Sequence, residues 1–333
     1  MTESQDDSGV DLYGVAPDLQ HYDAAPPALY VYRQTRADGE AYTGVVCDVA
    51  VHAIAAGRVR AHEAVDPMRL EALLWHHARS KAAPALVMLL HRAGPVYAQA
   101  VAETQTGEPV VDFDGPGGYW QTVWRVPDSW TAALADELGG TELYIADGHH
   151  RTAAALEEWR RAGEPPSAGL LCLVHPIDGL SLSAFHRRIS GPIEPEQLLG
   201  LLDGRLAVRL ASGPSSLPVG SMNLYVGSRW YDVDLPADRP PGVAGLDVSI
   251  LQSVVLDRLP PAPPGRIRTV DTVPAAEPLD VLVTRCDIDR GALFTLAPPP
   301  PEALFEISDA GEVTPPKATY FEPKPAAGIF LRR

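Results

Sequence analysis

Apolar residues along the first part of the chain occur in short runs that predict strands. Ala28–Arg33 and Ala41–Val51 have the composition of buried strands, and Asp38-Gly39 between them supplies the positive φ that a hairpin turn requires. Residues 26–27, two prolines, close an N-terminal stretch without periodic apolar positions. We therefore predict a flexible tail over residues 1–25, followed by a β-hairpin.

Helices and strands alternate in the prediction for the next part of the chain. Asp66 is a suitable N-cap and Pro67 suits the first helical position, so a helix is predicted over Asp66–Ala78. Further strands are predicted over 85–90, as a pair within 99–111, and over 142–145 and 169–174; further helices are predicted over 128–138 and 149–161. These elements favour a mixed α/β domain over residues 26–190.

Beyond Gly191-Pro192 the pattern changes to shorter elements. Helices are predicted over 195–202, 246–259, 280–286 and 300–309, and strands over 205–210, 222–226, 230–233 and 292–296. A proline-rich stretch at 260–264 separates the last elements from the others. The pattern predicts a second, α+β domain over residues 191–333.

The segment Tyr144–Leu156 carries the strongest chemical signal in the chain. A predicted strand passes through Asp147-Gly148 into a predicted helix, whose first N–H groups lack helical partners and attract anions. His149, His150 and Arg151 add side-chain donors, and an arginine can hold a phosphate through two hydrogen bonds. Asp147 can bind magnesium, accept a hydroxyl proton or simply cap the helix.

Positive side chains at the start of this helix oppose its dipole. Each such group costs roughly 0.3–1 kcal/mol. A sequence that places two histidines and an arginine there gives up local stability, which indicates function. The alternative is a capping aspartate followed by a solvated basic turn. We predict a phosphate-binding strand–turn–helix.

Composition narrows the range of partners. The 333 residues carry a net charge of −16, which disfavours nucleic acid and anionic lipid but is compatible with a small anionic ligand. No run of about 18 apolar residues predicts a membrane span. The polar, acidic N-terminus does not have the features of a secretory signal, so a cytoplasmic location is expected.

Several motifs together resemble the family catalogued as domain of unknown function 1015. The resemblance covers about residues 28–333, and the order and spacing of the motifs agree with that family. The motifs are Ala28–Gln34, His62-Glu63, Tyr144–Arg151 with Ala153–Leu156, Phe185-His186-Arg187, Leu246-Asp247-Val248, Lys317–Lys324 and Gly328-Ile329.

This resemblance implies a fold and an activity. The family is similar to the ParB/sulfiredoxin superfamily, whose relatives of known chemistry include ATP- or ADP-dependent kinases of free serine. The implied fold is α+β, with a ParB/sulfiredoxin-like N-terminal domain and a second α+β domain. The implied cofactors are ATP or ADP and Mg²⁺, with Gly148, His149, His150, Arg151 and Thr152 at the nucleotide phosphates.

The resemblance also assigns roles to individual residues, within the turn and outside it. Glu63, Asp147 and His149 are the predicted catalytic residues, and Asp147 is the predicted metal ligand. Lys317 and Thr319 are predicted to contact the nucleotide; His62, Arg69, His186 and Arg187 are predicted to contact the acceptor. The chain departs from the family after Glu63, where Arg69 is the arginine that remains.

The predicted function is transfer of phosphate from ATP or ADP to a hydroxyl of serine or a serine-like metabolite. Two alternatives remain at this stage. One is a nucleotide-binding switch without catalysis, which the altered stretch after Glu63 favours. The other is a ParB-like regulatory or DNA-binding protein, which the net charge of −16 and the lack of a clear helix-turn-helix disfavour.

Overall fold

The computed structural model describes residues 12–13, 16–17, 28–79, 85–262, 264–265 and 267–331. In chain order its strands are β1 (Leu12–Tyr13), β2 (Ala16–Pro17), β3 (Tyr30–Arg36), β4 (Ala41–Ala50), β5 (Val59–Arg60), β6 (Val87–His91), β7 (Val111–Asp114), β8 (Tyr119–Arg125), β9 (Leu143–Asp147), β10 (Gly169–Pro176), β11 (Ser181–Ser183), β12 (Phe185–Ile189), β13 (Ala207–Ala211), β14 (Ser221–Val226), β15 (Arg229–Asp234), β16 (Val270–Pro274), β17 (Ala292–Leu296), β18 (Tyr320–Glu322) and β19 (Phe330–Leu331). Its α-helices are α1 (Val51–Ala55), α2 (Pro67–His77), α3 (Pro95–Thr104), α4 (Asp128–Gly139), α5 (His149–Arg161), α6 (Pro195–Leu202), α7 (Asp247–Val254), α8 (Leu279–Asp289) and α9 (Pro301–Asp309). The fold mixes helices and strands, as the sequence predicts.

The chain forms two compact units. The first comprises Met1–Ser181 together with Pro323–Arg333, and the second comprises Leu182–Glu322. The first compact unit therefore ends at Ser181, whereas the sequence pattern predicts a first domain that ends at residue 190. Its C-terminal segment returns to the first unit, an arrangement that the sequence pattern did not predict.

The first unit is built on a nine-stranded mixed sheet. Eight strands follow the order β5-β9-β6-β10-β4-β3-β8-β7, and β1 pairs with β4 off this path. Strand β9 lies between β5, to which it is parallel, and β6, to which it is antiparallel. Asp147, the last residue of β9, pairs with Met88, next to a register irregularity. The sheet thus fixes the strand that leads into the predicted anion site.

Both faces of this sheet are buried. In β3 and the residue before it, Leu29 and Val31 join the apolar cluster on one face, while Tyr30 and Tyr32 join the cluster on the other. This alternation follows from the two-residue period of side chains along a strand. It explains why the residues from Ala28 to Tyr32 are apolar in succession, rather than apolar at every second position.

The returning C-terminal segment covers part of the second face. The Phe330 ring lies 6.0 Å from the Tyr30 ring and 5.5 Å from the Tyr32 ring, centroid to centroid. The Tyr32 hydroxyl accepts a hydrogen bond from the Ala326 N–H at 3.3 Å. The Gln34 side chain donates to the Lys324 carbonyl at 3.1 Å. These contacts hold the segment in place, and Lys324 with it.

The strand pair predicted within residues 99–111 is wrong. Helix α3 occupies Pro95–Thr104, and only β7 follows as a strand. The residues of α3 that are buried are Tyr97, Ala100 and Thr104, whose spacing of three and four is helical. Pro95 at the first turn marks the helix start.

Several strands of the first unit were not predicted. Strand β8, Tyr119–Arg125, pairs with β3 and β7. Within the predicted tail, β1 pairs with β4, and β2 pairs with β19. The other residues of the tail lie outside the described part of the chain.

The second unit has its own sheet and core. Six strands are ordered β13-β15-β14-β17-β12-β16, and β11 pairs with β18. Leucines and valines from α6, α7 and β14, with Phe294 of β17, form the main apolar cluster. The predicted helix over 246–259 is confirmed over Asp247–Val254, and β16 was not predicted. None of the described helices has the length and apolarity to cross a membrane.

We predict that Phe330→Ala lowers the free energy of unfolding of the first unit by about 3–5 kcal/mol, because it removes a buried aromatic ring from the second face of the sheet. Denaturant unfolding monitored by circular dichroism measures the change. Met68→Ala is the control, since Met68 is 81% exposed and its truncation changes stability by less than about 0.5 kcal/mol. Equal effects of the two substitutions would contradict the described packing of the C-terminal segment.

Candidate functional site

The predicted strand–turn–helix is confirmed. Strand β9 ends at Asp147, Gly148 adopts the left-handed conformation with φ 107° and ψ 24°, and α5 begins at His149. No side chain caps α5, and its first turn contains no acidic residue. The first N–H groups of a helix that lacks such a cap form a natural binding site for an anion.

Asp147 holds two cations, one on each carboxylate oxygen. Lys324 Nζ lies 2.5 Å from Oδ1, and Arg151 Nη2 lies 2.5 Å from Oδ2. The three side chains are 22–36% exposed, so solvent reaches the cluster. All three belong to the first unit. The cluster therefore concentrates two positive charges and one negative charge at the start of α5.

Arg151 also binds the chain that enters β6. Its Nη1 donates to the Ala85 carbonyl at 2.9 Å and to the Leu86 carbonyl. With Nη2 on Asp147, the guanidinium is held on two sides. Such a fixed guanidinium is preorganised, because little side-chain freedom remains to be lost when it binds a ligand.

His149 packs against His62 from a distant part of the chain. The two rings meet edge to face, with centroids 4.6 Å apart and planes at 85°. Both residues are buried, and burial lowers the pKa of His62 to about 4. The structure thus brings together His62-Glu63 and the turn after β9, which the sequence separates by more than 80 positions. Glu63 itself is half-buried.

His150 contacts the stretch that follows Glu63. Its Nε2 accepts a hydrogen bond from the Asp66 N–H at 3.0 Å. Asp66 caps α2 by accepting from the N–H groups of Met68 and Arg69. The Arg69 side chain is 64% exposed, with Nε 4.0 Å from the Asp66 carboxylate. His150 and Asp66 therefore connect the starts of α2 and α5, and those helices pack on each other.

Thr152 supports the turn from within α5. It is buried, and its hydroxyl donates to the Gly148 carbonyl at 3.2 Å. The Thr152 N–H donates to the same carbonyl at 2.9 Å, as the first hydrogen bond of the helix. The structure thus gives Thr152 a contact with the turn; its predicted contact with nucleotide remains a prediction.

Four predicted site residues lie in the second unit. Arg187 is buried and donates to the carbonyls of Phe185, His186, Pro316 and Lys317, and burial lowers its pKa to about 10. His186 Nδ1 accepts from the Leu296 N–H at 3.3 Å, and burial with the Arg187 charge lowers the His186 pKa to about 4. Both side chains therefore bind backbone within the second unit.

Lys317 and Thr319 follow that backbone. Lys317 has a φ of 57°, and its Nζ lies 5.4 Å from the centre of the Phe185 ring. Thr319 is buried. Both belong to the second unit, whereas the cluster at Asp147 belongs to the first. Their predicted contact with nucleotide stays a prediction.

Lys324 belongs to this cluster although the sequence predicted no protein partner for it and indicated only that a lysine in the C-terminal tail can return to neutralise phosphates. It stands at the end of the C-terminal motif Lys317–Lys324, and the proline before it separates it from β18. A lysine in an extended tail gives no sign of its partner until the tail is placed. The packing of Phe330 and the Gln34 hydrogen bond bring it to Asp147.

The carboxylate of Asp147 is the one that this cluster offers to a metal ion. Among the residues that the structure describes, no group of three or more His, Cys, Asp or Glu side chains is arranged to hold a metal. Magnesium in nucleotide sites is commonly held by one or two carboxylates together with the phosphates. Asp147 fits that role only when at least one of its two cations moves to the phosphates.

Comparison with known proteins gives a family and a set of distant structures. The model of the family described as "Protein of unknown function (DUF1015)" matches residues 22–249. Among curated protein sequences, none matches the chain.

The structures that resemble the chain share little sequence with it. SbnI with a C-terminal truncation, from Staphylococcus aureus, is 13% identical with a TM-score of 0.45, over 83% of this chain and 82% of that one. A mutant of a free serine kinase in complex with AMP is 15% identical with a TM-score of 0.44, over 85% and 90%. A conserved hypothetical protein from Pyrococcus furiosus is 12% identical with a TM-score of 0.40, over 86% and 94%.

We predict that Gly148→Ala destabilises the protein more than Gly39→Ala does. Both glycines have a positive φ, 107° and 93°, so an alanine at either position costs about 1–2 kcal/mol. A Cβ at Gly148 would also lie 3.0 Å from Val87 Cγ2 and 3.1 Å from Arg151 Nη2, whereas nothing lies within 4 Å at Gly39. Denaturant unfolding of both variants measures the difference. Equal losses would show that the turn tolerates a side chain beside Arg151.

We predict that the free energy of unfolding falls as the pH falls from about 6.5 towards 4. Burial lowers the pKa of His62, His91 and His175 from 6.5 to about 4, so the unfolded chain binds more protons than the folded one in this range. The contribution of these buried histidines to the free energy of unfolding is therefore fully present above their unfolded pKa of 6.5, and it is lost as the pH falls towards their folded pKa of about 4. Urea unfolding at half-unit pH steps measures the slope.

The variant that tests this pH dependence is His62→Gln, which removes one of the titrating groups. It should give a shallower slope between pH 6.5 and 4, whatever its effect on stability at neutral pH. His76→Gln is the control, because His76 is exposed on α2 and solvent surrounds it before and after unfolding. A slope for His62→Gln as steep as that of the parent would contradict the burial of a neutral His62.

Proposed function

The chain belongs to the family described as protein of unknown function DUF1015, and we propose that it is a nucleotide-dependent kinase of a small-molecule hydroxyl. The site is the turn between β9 and α5 with the cations around Asp147. The acceptor class, serine or a serine-like metabolite, is implied by the similarity of this family to the ParB/sulfiredoxin superfamily, whose relatives of known chemistry include kinases of free serine. The ParB/sulfiredoxin-like character of the first unit is part of the same proposal.

One observation carries the proposal: the uncapped start of α5 lies directly beside two cations that are paired with a single carboxylate. The helix N–H groups after Gly148 offer backbone donors, and Arg151 and Lys324 offer charged donors. A nucleotide phosphate takes both kinds of donor, and its charge exceeds that of the Asp147 carboxylate. The cluster therefore has the composition of a phosphate site with a carboxylate inside it.

Binding of phosphate would exchange the partners of Asp147. Lys324, which is 36% exposed at the end of a flexible stem, moves to the phosphate most easily. Arg151 keeps its hydrogen bonds to the Ala85 and Leu86 carbonyls while Nη2 turns from carboxylate to phosphate. Asp147 is then free to hold magnesium or to accept a proton.

Phosphate transfer would use the residues around this exchange. The hydroxyl oxygen of the acceptor forms a bond to the terminal phosphorus while the bond from that phosphorus to the bridging oxygen breaks, and the hydroxyl proton passes to a carboxylate. Glu63 or Asp147 is the proposed acceptor of the proton. The start of α5 and His149 would stabilise the charge of the transferring group.

Magnesium would bind together with the nucleotide. Asp147 is the side chain proposed to hold it, since it is the carboxylate nearest to the phosphate donors. When bound, magnesium would neutralise charge on the phosphates. Lys317 and Thr319, in the second unit, remain proposed nucleotide contacts through the motif resemblance alone.

A second candidate function is nucleotide binding without catalysis. The stretch after Glu63 favours it, because Asp66 and His150 serve to join α2 to α5 and Arg69 points into solvent. A ParB-like regulatory role belongs to this same class. Such a protein would keep the phosphate donors and lack phosphate transfer.

We predict that the purified full chain, incubated with ATP or ADP, Mg²⁺ and a panel of hydroxyl metabolites that includes L-serine, yields a phosphorylated metabolite. Mass spectrometry of the small molecules and ³¹P NMR measure the product. An unchanged panel with a bound nucleotide would support the non-catalytic candidate, and an unchanged panel without nucleotide binding would overturn both.

The phosphate assignment has a separate test. Lys324→Met should weaken nucleotide binding by about tenfold or more, because the proposed charge-assisted hydrogen bond from Lys324 to the phosphate would be worth roughly 1.5–3 kcal/mol. Arg161→Met is the matched control, since Arg161 is an exposed cation at the other end of α5 and pairs with Glu157. Isothermal titration of both variants with nucleotide measures the effect. Unchanged affinity of the Lys324 variant would refute the proposed phosphate site.

A further inference from the structure

The second unit contains a cavity of about 310 Å³ that the proposed kinase site does not use. It lies among the start of α7, the end of β17 and the start of α9, and its wall includes Ala184, Val248, Leu296 and Ala303. The described residues that line it all belong to the second unit. Its volume is at the lower end of the range for small-molecule pockets.

One charged pair stands in this otherwise apolar wall. Asp247, the first residue of α7, is 7% exposed and accepts hydrogen bonds from the Gly220 N–H at 2.9 Å and from Arg239 Nη1. Burial raises the pKa of Asp247, and the Gly220 and Arg239 contacts oppose this rise. Each carboxylate oxygen therefore already has a donor, so this group does not call for a cationic ligand.

Arg239 binds its protein partners through Nη1. Its Nη1 serves Asp247 and, at 3.3 Å, the Gly245 carbonyl. Within the described part of the chain, Nη2 and Nε have no hydrogen bond to a protein group, and the side chain is 24% exposed. A guanidinium fixed at one nitrogen, with its neighbours available, suits the two oxygens of a carboxylate.

The remaining wall limits the size and polarity of a ligand. Alanine, valine, leucine and proline side chains form most of it, and prolines 240, 299 and 300 contribute no N–H donors. A phosphate group needs donors for three or more oxygens, and Arg239 is the only cation among the lining residues. A carboxylate needs donors for two, and an aliphatic body fits the apolar remainder.

We propose that this cavity is a binding site for a small aliphatic monocarboxylate, whose carboxylate is held by Arg239 and whose hydrocarbon part is buried between α7 and α9. Asp247 acts as a positioning residue, because it pairs with the Arg239 guanidinium and both residues line the cavity. The site is independent of the kinase proposal, since it shares no residue with the cluster at Asp147. Leu246-Asp247-Val248, a motif that the kinase proposal leaves without a role, supplies part of its wall.

The test is titration of the full chain with isovalerate, without nucleotide, by isothermal calorimetry and by ligand-observed NMR. Saturable binding with a Kd of about 1 mM or tighter is expected, which corresponds to roughly −4 kcal/mol. Arg239→Lys keeps the charge beside Asp247 but loses the planar pair of donors, and should bind at least about tenfold more weakly. Ala303→Leu fills the cavity from α9 without touching the charged pair, and should abolish binding.

The control is Arg209→Gln, which removes an exposed ion pair with Asp234 in the same unit and should bind isovalerate as the parent does. Thermal unfolding of each variant shows whether it folds. The two pocket variants change different features of the cavity, so if one of them fails to fold, the other still tests the proposal. No saturable binding by the parent, or parental affinity in both pocket variants, would overturn the proposal. Binding of L-leucine but not of isovalerate would also overturn it, because the ammonium group that distinguishes L-leucine would then be required, with Asp247 as its partner.

Discussion

The double ion pair of Asp147 is the interaction on which the first unit's site depends. One carboxylate joins the end of β9, the first turn of α5 through Arg151, and the returning C-terminal segment through Lys324. Arg151 extends the connection to the entry of β6. Four stretches of chain thus meet at one partly exposed charge. Removal of the carboxylate would leave two neighbouring cations without their shared partner, which is a costly arrangement at a helix start.

The geometry around this carboxylate follows from backbone constraints. Gly148 permits the left-handed turn, and the space beside it is already taken by Val87 and Arg151, so only a residue without a Cβ fits well. The buried rings of His62 and His149 pack edge to face beside the turn. The exposed side keeps the cations. A ligand that approaches from solvent therefore meets donors first, while the apolar and aromatic groups behind them keep the turn rigid.

The second unit uses charge differently. There Asp247 and Arg239 are enclosed by small apolar side chains rather than gathered around an open helix start. Arg187, which the motif resemblance assigns to an acceptor, spends its hydrogen bonds on four carbonyls. The same residue type thus binds backbone carbonyls at one position, and at another position, Arg239, pairs with a buried carboxylate in the wall of a cavity.

Local sequence determined the strand–turn–helix at Asp147-Gly148, the first hairpin and most of the helices, because capping, glycine φ values and apolar period act over a few residues. It determined the chemistry of the turn for the same reason. It failed at α3, where a strand pair was predicted within residues 99–111, and at β8, which was not predicted. Only the tertiary structure decided that His62 meets His149, that Asp66 meets His150 and that Lys324 returns to Asp147. These contacts join residues more than 80 positions apart. They depend on which face of the sheet each segment covers, and the packing of the whole unit determines this rather than any local pattern.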